Sequence, residues 1–100
     1  MATRANVRVM QGDRVQNFYH HWNGCPQGVG CDLEKMLRGK ETWDFEEICA
    51  ELKSGTVDHN YPFEPCNSPN GDIEYNYTIS CDKKTLTFHH LIDNDYEVLL

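Results

Sequence analysis

Alternation of apolar and polar residues at both ends of the sequence restricts its fold more than any other feature. Residues 2–10 place small or apolar side chains at every second position, and residues 14–21 repeat this period after the turn signal Gly12-Asp13. Residues 73–100 contain three further alternating stretches, separated by polar turns. Successive side chains of a strand point to opposite faces, so the period predicts about five half-buried strands.

Two amphipathic helices are predicted between these strands. Apolar residues recur at helical spacing over residues 29–37, and Gly39 follows as the terminating glycine. Thr42 or Asp44 is expected to cap the second helix, with Glu47 in the capping-box position. The apolar stripe of that helix consists of Phe45, Ile48, Cys49 and Leu52.

The resulting order, β-β-α-α-β-β-β, predicts an α+β domain. We expect an antiparallel sheet of about five strands with two helices packed on one face, forming a single domain over residues 1–100. Residues 56–72 contain Pro62, Pro65 and Pro69 before the turn pair Asn70-Gly71, and this composition predicts a long irregular loop.

The acidic balance of the chain argues against nucleic acid as a partner. The sequence has 16 acidic and 9 basic residues, a net charge of −7, whereas phosphate binding needs clustered Lys and Arg. An acidic surface is usually a solubility device. The alternative is a mimic of nucleic acid, which requires the acids of the second helix and of the long loop to share one face.

The cysteine count and the absence of long apolar runs favour a cytoplasmic protein with no membrane contact. Five cysteines do not suggest a disulfide framework, and no secretory signal or membrane span is recognisable. The cysteines form no close pair of the kind that marks a zinc site, and each adjacent histidine pair splits across two faces of its strand, so we predict neither metal nor other cofactor. A site joining His21 to the His89-His90 pair requires their strands to be neighbours. The oligomeric state stays open, with an edge-strand dimer through the last strand as one option.

Residues 19–30 hold the densest chemistry in the chain. Alternation puts His20 and His21 on opposite faces of their strand, so only His21 is expected to join the loop that follows. Free backbone N–H groups before a helix attract anions, while an indole can stack on a flat ligand and an imidazole or amide can hydrogen-bond to one. The candidate ligand- or partner-binding residues are Tyr19, His21, Trp22, Asn23, Gly24, Pro26, Gly28 and Gly30.

A plain structural interpretation of the same loop is favoured over a binding site. In it Trp22 fills the core, Asn23-Gly24 makes a turn, and the glycines serve backbone geometry. The spacing of the glycines matches neither a dinucleotide-binding motif nor a P-loop. Residues 22–30 are therefore predicted to be irregular.

The loop resembles that of a group of small proteins of unassigned function from bacteriophages, prophages and gut bacteria. The residues that match their Y-x-H-W-[DN]-G-x-P loop pattern are Tyr19, His21, Trp22, Gly24 and Pro26, and the opening Ala2-Thr3-Arg4 also matches. The sequence departs from the pattern at Asn23, where the group usually has Asp, and at Cys25, where it usually has Tyr. The resemblance implies a mobile-element setting and a shared loop, and it implies no particular reaction.

Two function classes are consistent with the sequence. The first is a non-enzymatic cytoplasmic domain that binds a small molecule or a protein through residues 19–30, in a phage or mobile-element setting. The alternative is a small hydrolase or transferase that uses His21 with Cys25 or with a carboxylate of the 56–72 loop. An enzyme should place His21 and a second titratable group within hydrogen-bond reach of each other in one cleft.

Overall fold

The computed structural model describes residues 3–54, 63–69 and 71–100, and its strands form one six-stranded sheet. In chain order the strands are β1 (Ala5–Gln11), β2 (Arg14–His20), β3 (Glu64–Cys66), β4 (Tyr75–Ser80), β5 (Thr85–His90) and β6 (Asp95–Val98). Across the sheet the order is β3-β2-β1-β4-β5-β6. The two N-terminal strands therefore lie inside the sheet, and β6 lies at one edge.

The predicted α+β class is confirmed, but the expectation of a purely antiparallel sheet is wrong at its centre. β1 and β4 pair in parallel, with Ala5 beside Tyr75 and Met10 beside Ser80. All other neighbouring strands are antiparallel. Alternation fixes the face that each side chain occupies and carries no information on strand direction, so the sequence pattern could not reveal this pairing.

The sixth strand, β3, interrupts the loop that was predicted over residues 56–72. It pairs with β2 through three residues, and Pro65 lies opposite Phe18. A proline is tolerated in an edge strand because only one side of the strand needs its N–H groups. Three residues that include a proline show no alternation, which is why the pattern missed this strand. Residues 55–62 and 70, also part of the predicted loop, lie outside the described residues.

Both helices pack on one face of the sheet, as predicted. They are α1 (Cys31–Leu37), which directly follows a π-helical turn over Pro26–Gly30, and α2 (Phe45–Ser54). The predicted irregular segment over residues 22–30 is therefore wrong for its second half. Pro26 at the first position has a fixed φ that suits a helix start, and this favours a turn where the glycines alone suggest a loop.

The ends of the helices follow the sequence prediction. Gly39 leaves α1 with φ +89°, a left-handed conformation that favours glycine. Asp44 caps α2, since its carboxylate accepts a hydrogen bond of 2.9 Å from the backbone N–H of Glu47. The predicted stripe of α2 is buried along its whole length.

The core fills the space between the helices and the sheet face that carries Val7, Val9 and Phe18. The buried apolar residues form one cluster, and Tyr77 and Phe18 are its largest fully buried side chains. The other face of the sheet, here called the open face, carries mostly polar side chains. On it, Asn6 Nδ2 donates to Asn17 Oδ1 and to Asn76 Oδ1, both at 3.0 Å. This amide network satisfies polar groups that the centre of the sheet buries.

Several ionisable groups have a higher pKa in the folded protein than in the unfolded chain, so the folded state is expected to lose stability at high pH. Burial raises the pKa of the Cys81 thiol to about 11, and burial also raises the pKa of the Tyr77 phenol. Lys40 has a raised pKa as well, because Glu47 and Glu51 accept hydrogen bonds from its ammonium group. In each case the unfolded chain releases its proton at lower pH than the folded protein, so stability is present below the ordinary pKa and is lost as pH rises.

We therefore expect the free energy of unfolding to fall between pH 8 and pH 11, by about 2 kcal/mol from Cys81 alone. Urea unfolding at a series of pH values measures this loss. A Cys81→Ala variant should show a shallower decline, while Cys31→Ala, which changes an exposed thiol, should follow the wild type. Parallel curves for all three proteins would contradict the assignment.

Candidate ligand-binding surface

The backbone N–H groups of Gly28, Val29 and Gly30 hydrogen-bond within the strand-to-helix loop, so they are not free to bind an anion. The carbonyl of Asn23 accepts a hydrogen bond from Val29 N–H at 2.8 Å, and the carbonyl of Cys25 accepts one from Gly28 N–H at 2.9 Å. Gly30 N–H also points at the Cys25 carbonyl, at 3.4 Å. These amides would have to bind a phosphate or carboxylate if the glycines formed an anion cradle, and they are already used.

The glycines are required for close packing of the backbone, as the plain structural interpretation holds. A Cβ at Gly28 would lie 2.2 Å from the Asn23 carbonyl oxygen, and one at Gly24 would lie 2.8 Å from the Thr3 carbonyl oxygen. Gly30 packs against the Tyr77 ring. Three predicted site residues, Gly24, Gly28 and Gly30, therefore shape the loop instead of lining a binding surface, and Pro26 starts the helical turn.

The two adjacent histidines separate as the alternation predicts. His20 is buried on the helix face, where its ring stacks on Phe63 with 4.4 Å between centroids. His21 follows the last residue of β2 and lies on the opposite side with Tyr19. The Tyr19 hydroxyl and His21 Nδ1 are 3.0 Å apart. The imidazole that belongs with the loop is thus His21.

Arg4 and Asp72 complete the surroundings of His21. Arg4 Nε donates to His21 Nδ1 at 3.4 Å and lies 3.3 Å from Asp72 Oδ2. The side chains of Arg4 and Asp72 are both more than one-third exposed. Trp22 stands edge-on to the imidazole with 4.7 Å between ring centroids. We call this group of five residues the His21 surface: Arg4, Tyr19, His21, Trp22 and Asp72.

The Arg4 contact favours one form of the neutral His21 ring. Arg4 Nε carries a hydrogen and can only donate, so in this 3.4 Å contact the lone pair of the ring is on Nδ1 and its proton is on Nε2. The Tyr19 hydroxyl, at 3.0 Å, can donate to the same nitrogen. No described residue hydrogen-bonds to Nε2, so Nε2–H is the donor that His21 offers to a ligand.

The electrostatics around Tyr19 keep its phenol protonated. Burial raises the pKa of Tyr19, the carboxylates of Asp72 and Glu64 raise it further, and Arg4 lowers it. With one guanidinium against two carboxylates, the region carries a net negative charge. A phosphate or another polyanion is repelled by such a surface, whereas an uncharged polar group is not.

Trp22 departs from the role that the plain structural interpretation gives it. Its side chain is 47% exposed, whereas Trp43, the other tryptophan, is 7% exposed and belongs to the core. Asn23 is also exposed, in a left-handed conformation with φ +53°. Trp22 therefore contributes an accessible aromatic ring, and Asn23 turns the chain from β2 toward the helix.

Arg4 was not predicted as a site residue, and Asp72 was included only as one of the carboxylates of the 56–72 loop in the enzyme hypothesis. Alternation along β1 places Arg4 on the face opposite Ala5, and this signal was present in the sequence. Asp72 precedes β4, and its approach to Arg4 depends on the parallel pairing of β1 with β4. Alternation of side chains does not reveal that pairing, so the sequence could not predict that Asp72 lies beside Arg4.

No hydrogen bond or ring contact among the described residues joins Cys25 to His21. Cys25 follows Gly24, whose carbonyl accepts a hydrogen bond from the Tyr77 hydroxyl on the helix face. His21 contacts Tyr19 and Arg4 on the opposite side. The arrangement gives no support to a Cys25–His21 pair.

The histidines of β5 are also remote from His21, because β1 and β4 lie between β2 and β5. His89 stacks on Tyr96 on the open face, and His90 stacks on Tyr75 on the helix face. In the part of the chain that the structure describes, no group of three or more His, Cys, Asp or Glu side chains is arranged to hold a metal ion.

The acids of α2 do not form the continuous face that a nucleic-acid mimic needs. Glu46 pairs with Arg14 at 3.2 Å, and Lys40 binds both Glu47 and Glu51. The described acids of the other predicted segment, Glu64 and Asp72, influence Tyr19 on the open face, away from α2. The two acidic groups lie on different sides of the sheet, which argues against the mimic hypothesis.

A concave region lies between α2 and the start of β2, apart from the His21 surface. This pocket has a volume of about 290 Å³. The Arg14 guanidinium lies 4.3 Å above the Phe45 ring and also pairs with Glu46. The pocket is lined by Arg14, Gln16, Phe45, Glu46, Cys49, Ala50 and Lys53. We refer to it as the α2 pocket.

A scan against models of known protein families, a search of curated proteins and a search of solved structures each found no match to this chain. Among the described residues, no helix has the length and apolar character required to cross a membrane.

Proposed function

We propose that this chain is a non-enzymatic binding domain whose ligand contacts the His21 surface. The observation that carries the proposal is the exposed Trp22 ring beside an imidazole whose Nε2 has no hydrogen-bond partner among the described residues. An aromatic ring and a fixed hydrogen-bond donor at one place are the usual elements of a binding site. The predicted 19–30 loop thus contributes Tyr19, His21 and Trp22, with Arg4 and Asp72 added from β1 and the segment before β4.

The hydrogen bonds and the protonation of the titratable groups near His21 favour binding over catalysis. The distance condition of the enzyme hypothesis is met by Tyr19, whose hydroxyl lies 3.0 Å from His21 Nδ1. The raised pKa of Tyr19 favours its protonated form, a hydrogen-bond donor, over the phenolate that would act as a nucleophile. The loop carboxylate Asp72 contacts Arg4 and makes no pair with His21 among the described contacts.

The chemistry of the surface favours an uncharged amide ligand that carries a flat or apolar group. His21 Nε2–H and the Arg4 guanidinium donate to a carbonyl, while Trp22 covers an apolar group. The carboxylates of Asp72 and Glu64 disfavour an anion. A small amide and a segment of a protein share this chemistry, and a nucleic acid does not. The resemblance to small phage and gut-bacterial proteins adds a cytoplasmic, mobile-element setting to the proposal.

The test is nuclear magnetic resonance titration of the isotope-labelled chain with N-acetyl-phenylalanine amide and with N-acetyl-phenylalanine. We expect the amide to shift the Trp22 indole resonance and the signals of His21 and Arg4, and the acid to bind several-fold more weakly. The buried Trp43 indole is an internal control. A Trp22→Leu substitution should weaken binding roughly tenfold, the effect of removing a central aromatic contact, while Tyr96→Leu, at another exposed aromatic, should leave it unchanged.

Three results would contradict the proposal. One is the absence of shifts with either probe. Another is a set of shifts centred on the α2 pocket. The third is hydrolysis of the N-acetyl group or of the amide during the titration, which would favour the enzyme hypothesis.

A further inference from the structure

β6 is an ordered strand with an accessible edge, at the far end of the sheet from β3. All four of its residues are exposed, and in the described part of the chain β5 alone pairs with it. After β6 the chain is held in place, since Leu99 N–H donates to the Leu86 carbonyl at 2.7 Å. The edge is therefore preordered, with backbone donors and acceptors facing away from β5. Such an edge is a template for a further strand.

The aromatic and aliphatic side chains of β6 lie on one face of the sheet, and its acidic side chains lie on the other. Tyr96 lies opposite His89 on the open face and is 73% exposed, and Val98 on the same face is 67% exposed. Asp95 lies opposite His90 and Glu97 lies opposite Phe88, which puts both acids on the helix face. One face of the edge is thus apolar and the other is acidic.

This pattern opposes pairing of β6 with a second copy of itself. In an antiparallel pair about a two-fold axis, residues directly opposite share a face. If Tyr96 faces Tyr96 of the second copy, Asp95 faces Glu97 of that copy. If Tyr96 faces Val98, Glu97 faces Glu97. Like charges directly opposite each other destabilise a sheet, so the registers that pair most of the strand are disfavoured.

We propose that β6 accepts an extended segment of another protein as a seventh strand. The charge pattern specifies this segment: Lys or Arg at alternate positions, facing Asp95 and Glu97, and aliphatic or aromatic residues between them, facing Tyr96 and Val98. Backbone hydrogen bonds along the edge supply affinity, and the alternate side chains supply specificity. Three strands, β1, β4 and β5, separate this edge from β2, so the inference goes beyond the His21 surface and does not depend on it.

The first test uses peptides and the unmodified protein. A peptide that alternates Lys with Val and Tyr should bind at β6, as measured by amide shifts of residues 95–98. Its counterpart with Glu in place of Lys should bind at least roughly tenfold more weakly. A Lys peptide with N-methyl groups on the pairing edge should not bind. Equal binding of the N-methylated peptide would show general charge attraction and overturn the proposal, as would the absence of binding by all three.

The second test is a single substitution that removes the like-charge repulsion opposing the pairing of β6 with a second copy. In Glu97→Lys, the substituted side chain faces Asp95 of the second copy in the register that places Tyr96 opposite Tyr96. We expect this variant to sediment as a dimer and the wild type as a monomer. Glu41→Lys makes the same change of charge at an exposed position away from β6 and should stay monomeric. A dimeric wild type, or a monomeric Glu97→Lys variant that is folded, would overturn the proposal.

Discussion

Replacement of Tyr77 by alanine is expected to lower the free energy of unfolding by about 4 kcal/mol. The side chain is fully buried, and its ring packs with Phe88 at 5.8 Å between centroids and against Gly30. Its hydroxyl donates to the carbonyl of the buried Gly24 at 2.7 Å. The substitution therefore leaves a large cavity and an unpaired carbonyl, and it detaches the 22–30 loop from the sheet. Chemical denaturation followed by circular dichroism measures the loss.

A pair of phenylalanine variants separates the hydrogen bond from the packing. Tyr77→Phe keeps the ring and should cost about 1–2 kcal/mol, because the Gly24 carbonyl loses its partner in a buried place. Tyr75→Phe removes a hydroxyl from the neighbouring helix-face tyrosine of β4, which is half-buried, and should cost less than about 0.5 kcal/mol. Equal losses in these two variants would show that the Tyr77–Gly24 bond does not anchor the loop.

Alanine at Gly28 is expected to destabilise the protein by about 2–3 kcal/mol. In a helical turn, the change from glycine to alanine would by itself gain nearly 1 kcal/mol. Here the added methyl group would meet the Asn23 carbonyl oxygen at 2.2 Å. That carbonyl also accepts the hydrogen bond from Val29, so it cannot withdraw without breaking the link. The clash therefore outweighs the gain in helix propensity.

The matched control for Gly28→Ala is Gly71→Ala, at an exposed glycine where an added Cβ would meet no atom within 4 Å. The control should be neutral or slightly stabilising, because alanine restricts the unfolded chain. Thermal unfolding of the two variants beside the wild type gives the comparison. If Gly28→Ala is as stable as Gly71→Ala, the loop is not packed as closely as described.

Those parts of the fold that depend on side-chain periodicity could be predicted from the sequence. Alternation located five strands and separated His20 from His21, and helical spacing located the stripe that α2 buries. Asp44 and Gly39 marked helix ends because their chemistry suits only those positions. In each case a local preference and the final fold agree, which is what allows a local pattern to be informative.

The elements that were missed depend on long-range pairing or on backbone contacts. The parallel pairing of β1 with β4 and the short β3 are set by how the chain crosses the sheet, and neither produces a periodic signal. The glycines of the π-helical turn over Pro26–Gly30 predict irregular structure when the sequence is considered alone. In the fold they are explained by close contacts with other residues, such as the Asn23 carbonyl beside Gly28.

In the candidate site, too, the residues with a local sequence signal could be predicted and those set by long-range pairing could not. His21 could be chosen from its strand position, and the resemblance to phage-like proteins indicates the same residue. The exposure of Trp22 could not be predicted, because a tryptophan after a strand suits a core as well as a surface. Arg4 joins the site because the antiparallel pairing of β1 with β2 brings it beside His21, and Asp72 joins it because β4 runs alongside β1 in the same direction.

The central claim is that His21 presents a hydrogen-bond donor to a ligand, and the nitrogen spectrum of its ring tests this claim most directly. In the neutral form of the ring in the free protein, we expect an unprotonated Nδ1 and a protonated Nε2. On addition of N-acetyl-phenylalanine amide, the Nε2–H signal should move downfield while Nδ1 stays unprotonated. A ring with its proton on Nδ1, or an Nε2–H signal that does not respond to the amide, would contradict the claim.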